Sequence, residues 1–207
     1  MGKFAAGLQA TGKVNNHKKG QPRKIALRRK LIEQLGDPAK ISVLDCYAGA
    51  GVMWRNVWRE VGNYYGCDLE WKPWYPHRSF CTDNRRVLRC IDLAPFNLFD
   101  LDAYGSPWEQ AAIIADRRKL APGELIGLAL TDGSAMRARM GSVDWKLADM
   151  AGIDVNMSGA QREWTGITAK ALEQMAKRMR GEVVDVWEAE PDGRSMVYSA
   201  ATLRGAT

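Results

Sequence analysis

Short apolar runs alternate along this chain with longer stretches of helical spacing. In residues 21–36, Ile25, Leu27, Leu31, Ile32 and Leu35 recur at helical spacing. Pro22 suits a first helical position, and Gly36 with Pro38 closes the segment, so a helix is predicted. "ISVLDCYAGAGV" reads as a strand that breaks into a glycine-rich turn, and "NVWREVG" as a helix. "NYYGCDLE" is a second strand, "WKPWYP" a loop, "RSFCTDN" a short third strand and "FNLFDLD" a fourth. "SPWEQAAIIADRRKL" is a helix entered through Ser106 or Pro107, and "ELIGLALTDG" is a fifth strand. Residues 133–160 read as an irregular insertion over one rim. "EWTGITAKALEQMAKRMRG" is a helix, and "VVDVWEAE" and "SMVYSAATLR" form a hairpin around "PDGR".

Strands alternating with helices imply a parallel sheet covered on both faces, and the terminal hairpin makes the last strand antiparallel. The expectation is an α/β, Rossmann-like, seven-stranded fold. Residues 21–207 form its domain and residues 1–20 a flexible basic arm.

In such sheets ligands bind beyond the carboxyl ends of the strands. Acids fall there: Asp45 ends the first strand, Asp68 the second, Asp83 the third, Asp100 and Asp102 the fourth, Asp132 the fifth. Any one of them could cap a turn. Five in register point to a rim that binds something. "LFDLDAYGSP" is the sharpest case, because an unpaired buried charge costs several kcal/mol, so Asp100 and Asp102 must be paired or used. The glycine turn holds Ala48, Gly49 and Gly51 but lacks the third glycine of a dinucleotide fingerprint. A carboxylate before it (Asp45) suits a cationic ligand, and one ending the next strand (Asp68) suits ribose hydroxyls.

Composition narrows the class. With 207 residues, 46% of them hydrophobic, the chain fits one soluble domain, without a transmembrane or secretory segment. Cys46, Cys67, Cys81 and Cys90 form no C-x-x-C pair and His17 and His77 stand apart, which argues against zinc and for reduced thiols in a cytoplasmic protein. The charge is uneven: residues 1–30 carry nine Lys/Arg and no acid. That favours a phosphate-binding arm, with Lys13, Lys18, Lys19, Arg23 and Lys24 as candidate nucleic-acid contacts. Trp71, Trp74 and Tyr75, beside Lys72, read either as a base-stacking platform or as cover for a core edge. Trp54 and Trp58, four apart, read as a packed helix face.

The motifs carry a resemblance. "VLDCYAGAG", "YYGCDLE" and "CTDN" resemble the first three motifs of class I S-adenosylmethionine-dependent methyltransferases. "LFDLDAYGSP" is similar to the fourth motif of enzymes that methylate exocyclic amines, and most to that of the tRNA guanine-N2 dimethyltransferase family, D-P-F/Y-G-S-P. The "TD" of "ALTDGSAMRARMG" has its counterpart there too.

The resemblance implies S-adenosylmethionine as cofactor. Asp45, Tyr47, Ala48, Gly49 and Gly51 would lie at its amino-acid moiety, Asp68 at its ribose and Leu69 on the adenine face. Asp83 and Asn84 would lie at the adenine amino group, and Asp100 would face the cofactor or a nearby helix end. Asp102, the carbonyl of Ala103 and Tyr104 would handle the substrate amine. The family has proline where Ala103 stands, and its substrate-gripping C-terminal domain has no counterpart in this sequence. The implied function is methylation of an exocyclic amine of a nucleic-acid base, guanine N2 of RNA before adenine N6 of DNA. The rivals are a small-molecule methyltransferase and a catalytically silent nucleic-acid-binding protein.

Overall fold

The structure, a computed structural model, describes residues 20–70, 80–189 and 196–207. Helix α1 (Gln21–Leu35) has Pro22 in its first turn and ends at Gly36, whose φ of 90° only glycine adopts readily. Strand β1 (Ser42–Asp45) runs into the glycine turn, and α2 (Val52–Asn56) leaves it through Gly51. A 3₁₀ turn over Trp58–Glu60 leads to β2 (Asn63–Asp68). Then come β3 (Phe80–Cys81), α3 (Asn84–Cys90), β4 (Leu98–Asp102), α4 (Trp108–Arg117) and β5 (Leu125–Asp132). Two short helices, α5 (Ala135–Ala138) and α6 (Trp145–Ala151), precede α7 (Trp164–Arg178). Strands β6 (Gly181–Ala189) and β7 (Val197–Gly205) close the chain.

The seven strands order as β3-β2-β1-β4-β5-β7-β6. The first five pair in parallel, and β7 pairs antiparallel with both β5 and β6. The strand order therefore reverses between β1 and β4, whose carboxyl ends open the crevice where such folds bind ligands.

Period-two alternation assigns each strand residue to a face. Val43, Leu98 and Ala129 pack with Leu27 and Leu31 of α1 and with Trp58. Leu44, Phe99, Leu101 and Leu128 pack with the helices of the opposite face, through Leu88, Ile114, Leu147 and Leu172. Leu31 is fully buried, a contribution of about 1.5–3 kcal/mol. By the same alternation Asp45, Asp100 and Asp102 fall on the α1 face. That places three carboxylates under a helix whose sequence is rich in cations.

The expected elements form, with three differences. The helix expected over "NVWREVG" is shorter and earlier, because Val57 leaves helical geometry at φ −138° and starts the 3₁₀ turn. Helix α3 is not expected from the sequence; only Val87 and Leu88 of its seven residues are buried, too few to show a helical period. The insertion contains α5 and α6, and α6 packs against α4 and α7. The loop at Trp71–Tyr75, the turn "PDGR" and most of the arm lie outside the described residues.

Candidate functional site

The glycine turn is built for close approach. Gly49 and Gly51 have φ of 50° and 65°, the left-handed region. Ala48 N–H donates to the Cys67 carbonyl at 3.0 Å, and Gly49 N–H to Asp68 Oδ2 at 2.8 Å. The ends of β1 and β2 are thus tied together by the turn itself. Asp68 Oδ1 also accepts from Glu70 N–H, at 3.1 Å.

Beyond these ends lies a cavity of about 370 Å³, within the size range of small-molecule sites. It is lined by Tyr47, Gly49, Asp68, Leu69, Asp83 and Asn84, and at the β4 end by Asp102 and Tyr104. Ala48 lines a smaller neighbouring space of about 60 Å³, which shares Tyr47, Gly49 and Asp102 with the first and adds Lys24. Asp83 caps α3 by accepting from Arg85 N–H at 2.8 Å; the Arg85 guanidinium, hydrogen-bonded to it, holds its carboxyl below the usual range. Asn84 donates to the Cys46 carbonyl at 2.8 Å and accepts from Gln110 Nε2 at 2.9 Å. Leu69 and Tyr104 are 69% and 73% exposed, so both side chains stand open at the mouth.

Asp102 is the best-placed carboxylate. Its Oδ1 lies 2.5 Å from Lys24 Nζ. Burial pushes its carboxyl upward, but Arg28 and Lys24 outweigh burial and hold it below the usual carboxylate range. At neutral pH it is an ionised hydrogen-bond acceptor at the edge of the cavity.

Several expectations are corrected. Asp100 does not face the cavity. It is fully buried, and its oxygens take Arg28 Nη2 at 2.5 Å, Arg28 Nε at 2.7 Å and Trp58 Nε1 at 2.9 Å. Asp45 is also turned inward, accepting from Tyr47 N–H at 3.0 Å and the Tyr64 hydroxyl at 2.9 Å. Burial and the charge of Asp100, its register partner, raise the Asp45 carboxyl well above the usual range. Asp132 accepts from Trp108 Nε1 and from Ser134, inside the fold. The rim of acids thus reduces to Asp68, Asp83 and Asp102, since the other three are taken up by donors inside the fold. Gly51 and Ala103 shape their turns without lining either space; Ala103 is 2% exposed. Lys24 is not a free phosphate contact, because Asp102 holds it. Arg23 is half-buried, and Lys13, Lys18 and Lys19 lie outside the described residues.

Sequence reasoning missed Arg28, which it counts only among the nine cations of residues 1–30. Its signal was present: Lys24, Arg28, Leu31 and Leu35 follow i, i+4, i+7, i+11, the stripe that faces the sheet. It also missed Gln110 and Cys67 as lining residues. Among the described residues no group of three or more His, Cys, Asp or Glu side chains could hold a metal ion. No helix among them is long and apolar enough to cross a membrane.

Comparison with known proteins bears on the fold. No protein-family model matches the chain, and no curated protein sequence matches it. Solved structures do. Trm1 from Pyrococcus horikoshii, in complex with S-adenosyl-L-methionine, aligns with a TM-score of 0.60 at 16% identity, over 92% of this chain and 56% of that one. The 1,6-didemethyltoxoflavin-N1-methyltransferase of Burkholderia thailandensis aligns at 0.51 and 14%, over 93% and 82%. The N-methyltransferase NodS of Bradyrhizobium japonicum, with S-adenosyl-l-homocysteine, aligns at 0.51 and 15%, over 90% and 87%. The chain has the class I methyltransferase fold. It spans little more than half the length of Trm1.

Proposed function

We propose that the chain binds S-adenosylmethionine and transfers its methyl group to an exocyclic amine of a nucleic-acid base, guanine N2 of RNA in the first instance. The observation that carries this reading is the Asp102-Ala103-Tyr104 turn: an ionised carboxylate at the cavity edge, followed two residues on by an exposed aromatic ring. The cavity suits the cofactor in chemistry as well as volume. Asp68 would take the ribose hydroxyls, Leu69 one adenine face, and Asp83 with Asn84 the adenine amino group. The glycine turn, with Tyr47, Ala48 and Gly49, would hold the amino-acid end.

The cofactor would supply an electrophilic methyl group on a sulfonium. The protein's task is alignment and charge. An exocyclic amine is a poor nucleophile because its lone pair is delocalised into the ring. An acceptor on one of its hydrogens, the Asp102 carboxylate, would favour a tetrahedral nitrogen with an available lone pair. Asp102 would lie beside the positive charge that develops on nitrogen as the sulfonium gives up its methyl and leaves as a thioether, and would take the amine proton directly or through water. Tyr104 stacks the base that leaves its helix, a step cheapest for bases already unpaired. The basic arm would hold phosphates.

Incubation with labelled cofactor and, separately, total RNA and genomic DNA tests this, followed by digestion and identification of the labelled nucleoside. Label in N2-methylguanosine is expected. Label only in N6-methyldeoxyadenosine shifts the reading to DNA, and none in either polymer removes it.

A further inference from the structure

The segment between β5 and α7 has no part in the chemistry above. It starts against the Tyr104 turn: Gly133 N–H donates to the Gly105 carbonyl at 2.8 Å, and a Cβ on Gly133 would lie 2.7 Å from the Tyr104 carbonyl oxygen. From there it places four large apolar side chains in solvent, Met136, Met140, Trp145 and Val155, of which Met140 is 81% and Trp145 59% exposed. Leu69 and Tyr104 stand open at the cavity itself, and among the described residues only Val186 on β6 is a large exposed hydrophobe elsewhere. The segment is not poorly folded, since Ala138, Leu147, Ala148 and Met150 fill the core beneath it. Exposed apolar surface gathered on one rim marks a place where something binds.

The charges on this rim indicate what. Arg137, Arg139 and Lys146 are interleaved with Met136, Met140 and Trp145. The pieces touch: Val143 N–H donates to the Val155 carbonyl at 2.8 Å, Arg137 reaches within 3.8 Å of Asp144, and Lys146 Nζ sits 3.9 Å from the Trp145 ring centroid. Asp144 is 8% exposed, caps α6 and offsets part of the Arg137 charge, while the segment's exposed acids, Asp149, Asp154 and Glu163, come after the strip.

We propose that the face from Met136 to Lys146 docks an unpaired stretch of RNA flanking the base that enters the cavity. The proposal rests on the nucleic-acid reading above and adds where the strand runs. Aromatic and thioether groups give bases a stacking surface, and interleaved cations meet the phosphates between them. The continuity with Tyr104 gives the strand a direction, from the stacked target base outward over α5 and α6.

Fluorescence anisotropy of a labelled RNA hairpin with an unpaired purine loop tests the proposal on the full chain. Trp145→Ala should weaken binding about tenfold. Arg137→Ala with Arg139→Ala should flatten the slope of log K against log salt by about 0.7 for each phosphate no longer neutralised. All three side chains are exposed, so thermal melting and the calorimetric affinity for S-adenosylhomocysteine should stay as in the wild type. Unchanged affinity and slope, or a wild type that does not bind the hairpin, overturns the proposal. So does a wild-type dimer in sedimentation that Trp145→Ala dissociates, which would assign the face to a second copy of the chain. Methylated guanine with unaffected variants defeats the docking surface alone; weakened RNA binding without RNA methylation defeats the reaction assigned above alone.

Discussion

The Lys24 ammonium lies 2.5 Å from the Asp102 carboxylate, and this pair is one rung of two. One helical turn on, Arg28 holds Asp100, two residues earlier on β4. Four residues of helix rise about 6 Å, and two residues of strand advance about 6.6 Å. The two periods match closely enough for cations at i and i+4 to meet carboxylates at j and j−2. The inner rung, sealed by Trp58, is structural; the outer rung ends in the cavity.

Lys24→Met should move the acid limb of the pH–rate profile to higher pH. Asp102 must be ionised to accept from the amine, and Lys24 helps hold its carboxyl below the ordinary range. Without that charge the carboxylate is protonated earlier as pH falls. The same sign governs stability. A carboxyl depressed in the folded state adds stability that is complete above its unfolded pKa and is lost as pH falls through the folded one, so the variant should lose that contribution. Lys24→Arg should keep the wild-type profile. An acid limb identical in Lys24→Met and wild type would show that Arg28 alone sets the Asp102 charge.

Asp102→Asn should abolish turnover and leave the affinity for S-adenosylhomocysteine close to wild type. The carboxamide still fits, but it cannot accept the proton and carries no charge toward the developing cation. The loss should appear in single-turnover chemistry, where an interaction that strengthens in the transition state is felt. Full activity in this variant would assign the amine to another acceptor.

Arg28→Met should destabilise the fold by about 3–5 kcal/mol, the usual loss when one member of a buried pair is removed. Asp100 would then be a fully buried charge with only Trp58 as donor. Adding Asp100→Asn keeps an acceptor for the indole and removes the charge, so the double variant should recover part of the loss. Urea midpoints at constant m-value measure both.

Asp68→Ala should weaken cofactor binding by about 1.5–3 kcal/mol for each charge-assisted hydrogen bond it would make. It also removes the acceptor of Gly49 N–H and so loosens the turn. Asp68→Asn, which can still accept from Gly49, separates the two effects: an affinity near wild type in calorimetry would mean that Asp68 holds the turn and not the ribose.

These variants show what could be read from sequence. Strand ends, the glycine turn and the terminal hairpin were legible because period two, positive φ and turn chemistry leave local marks. The acids at β1, β4 and β5 were legible as residues but not as partners. Alternation says that Asp100 and Asp102 share a face, but not that this face lies under α1. Arg28 stood in a basic cluster whose composition suggested phosphate. Only the packing of α1 across β4 turns that charge inward, and packing across the sheet is a tertiary fact. Helix α3 escaped for the opposite reason, since it buries too little to leave a periodic trace.

The cysteines at the cavity give a last test, and they bear on why such a site does not methylate itself. Cys67 and Cys46 line the space where a sulfonium would sit. A thiolate there would be a better nucleophile than an aromatic amine. Burial first, then the neighbouring carboxylate of Asp68, pushes the Cys67 thiol up to about 12, and burial raises Cys46 as well. At pH 7 a thiol of that pKa is ionised in about one molecule in 100,000, and its Sγ–H is occupied with the Thr82 carbonyl at 3.2 Å. Cys81 and Cys90 are exposed free thiols. In the native protein at pH 8, a disulfide reagent should therefore modify two thiols quickly and the other two only after denaturation. Prolonged incubation with the cofactor should leave the intact mass unchanged. Four fast thiols, or a mass gain of one methyl group mapped to Cys67, would mean that the cavity does not suppress thiolate formation as its burial and carboxylates imply.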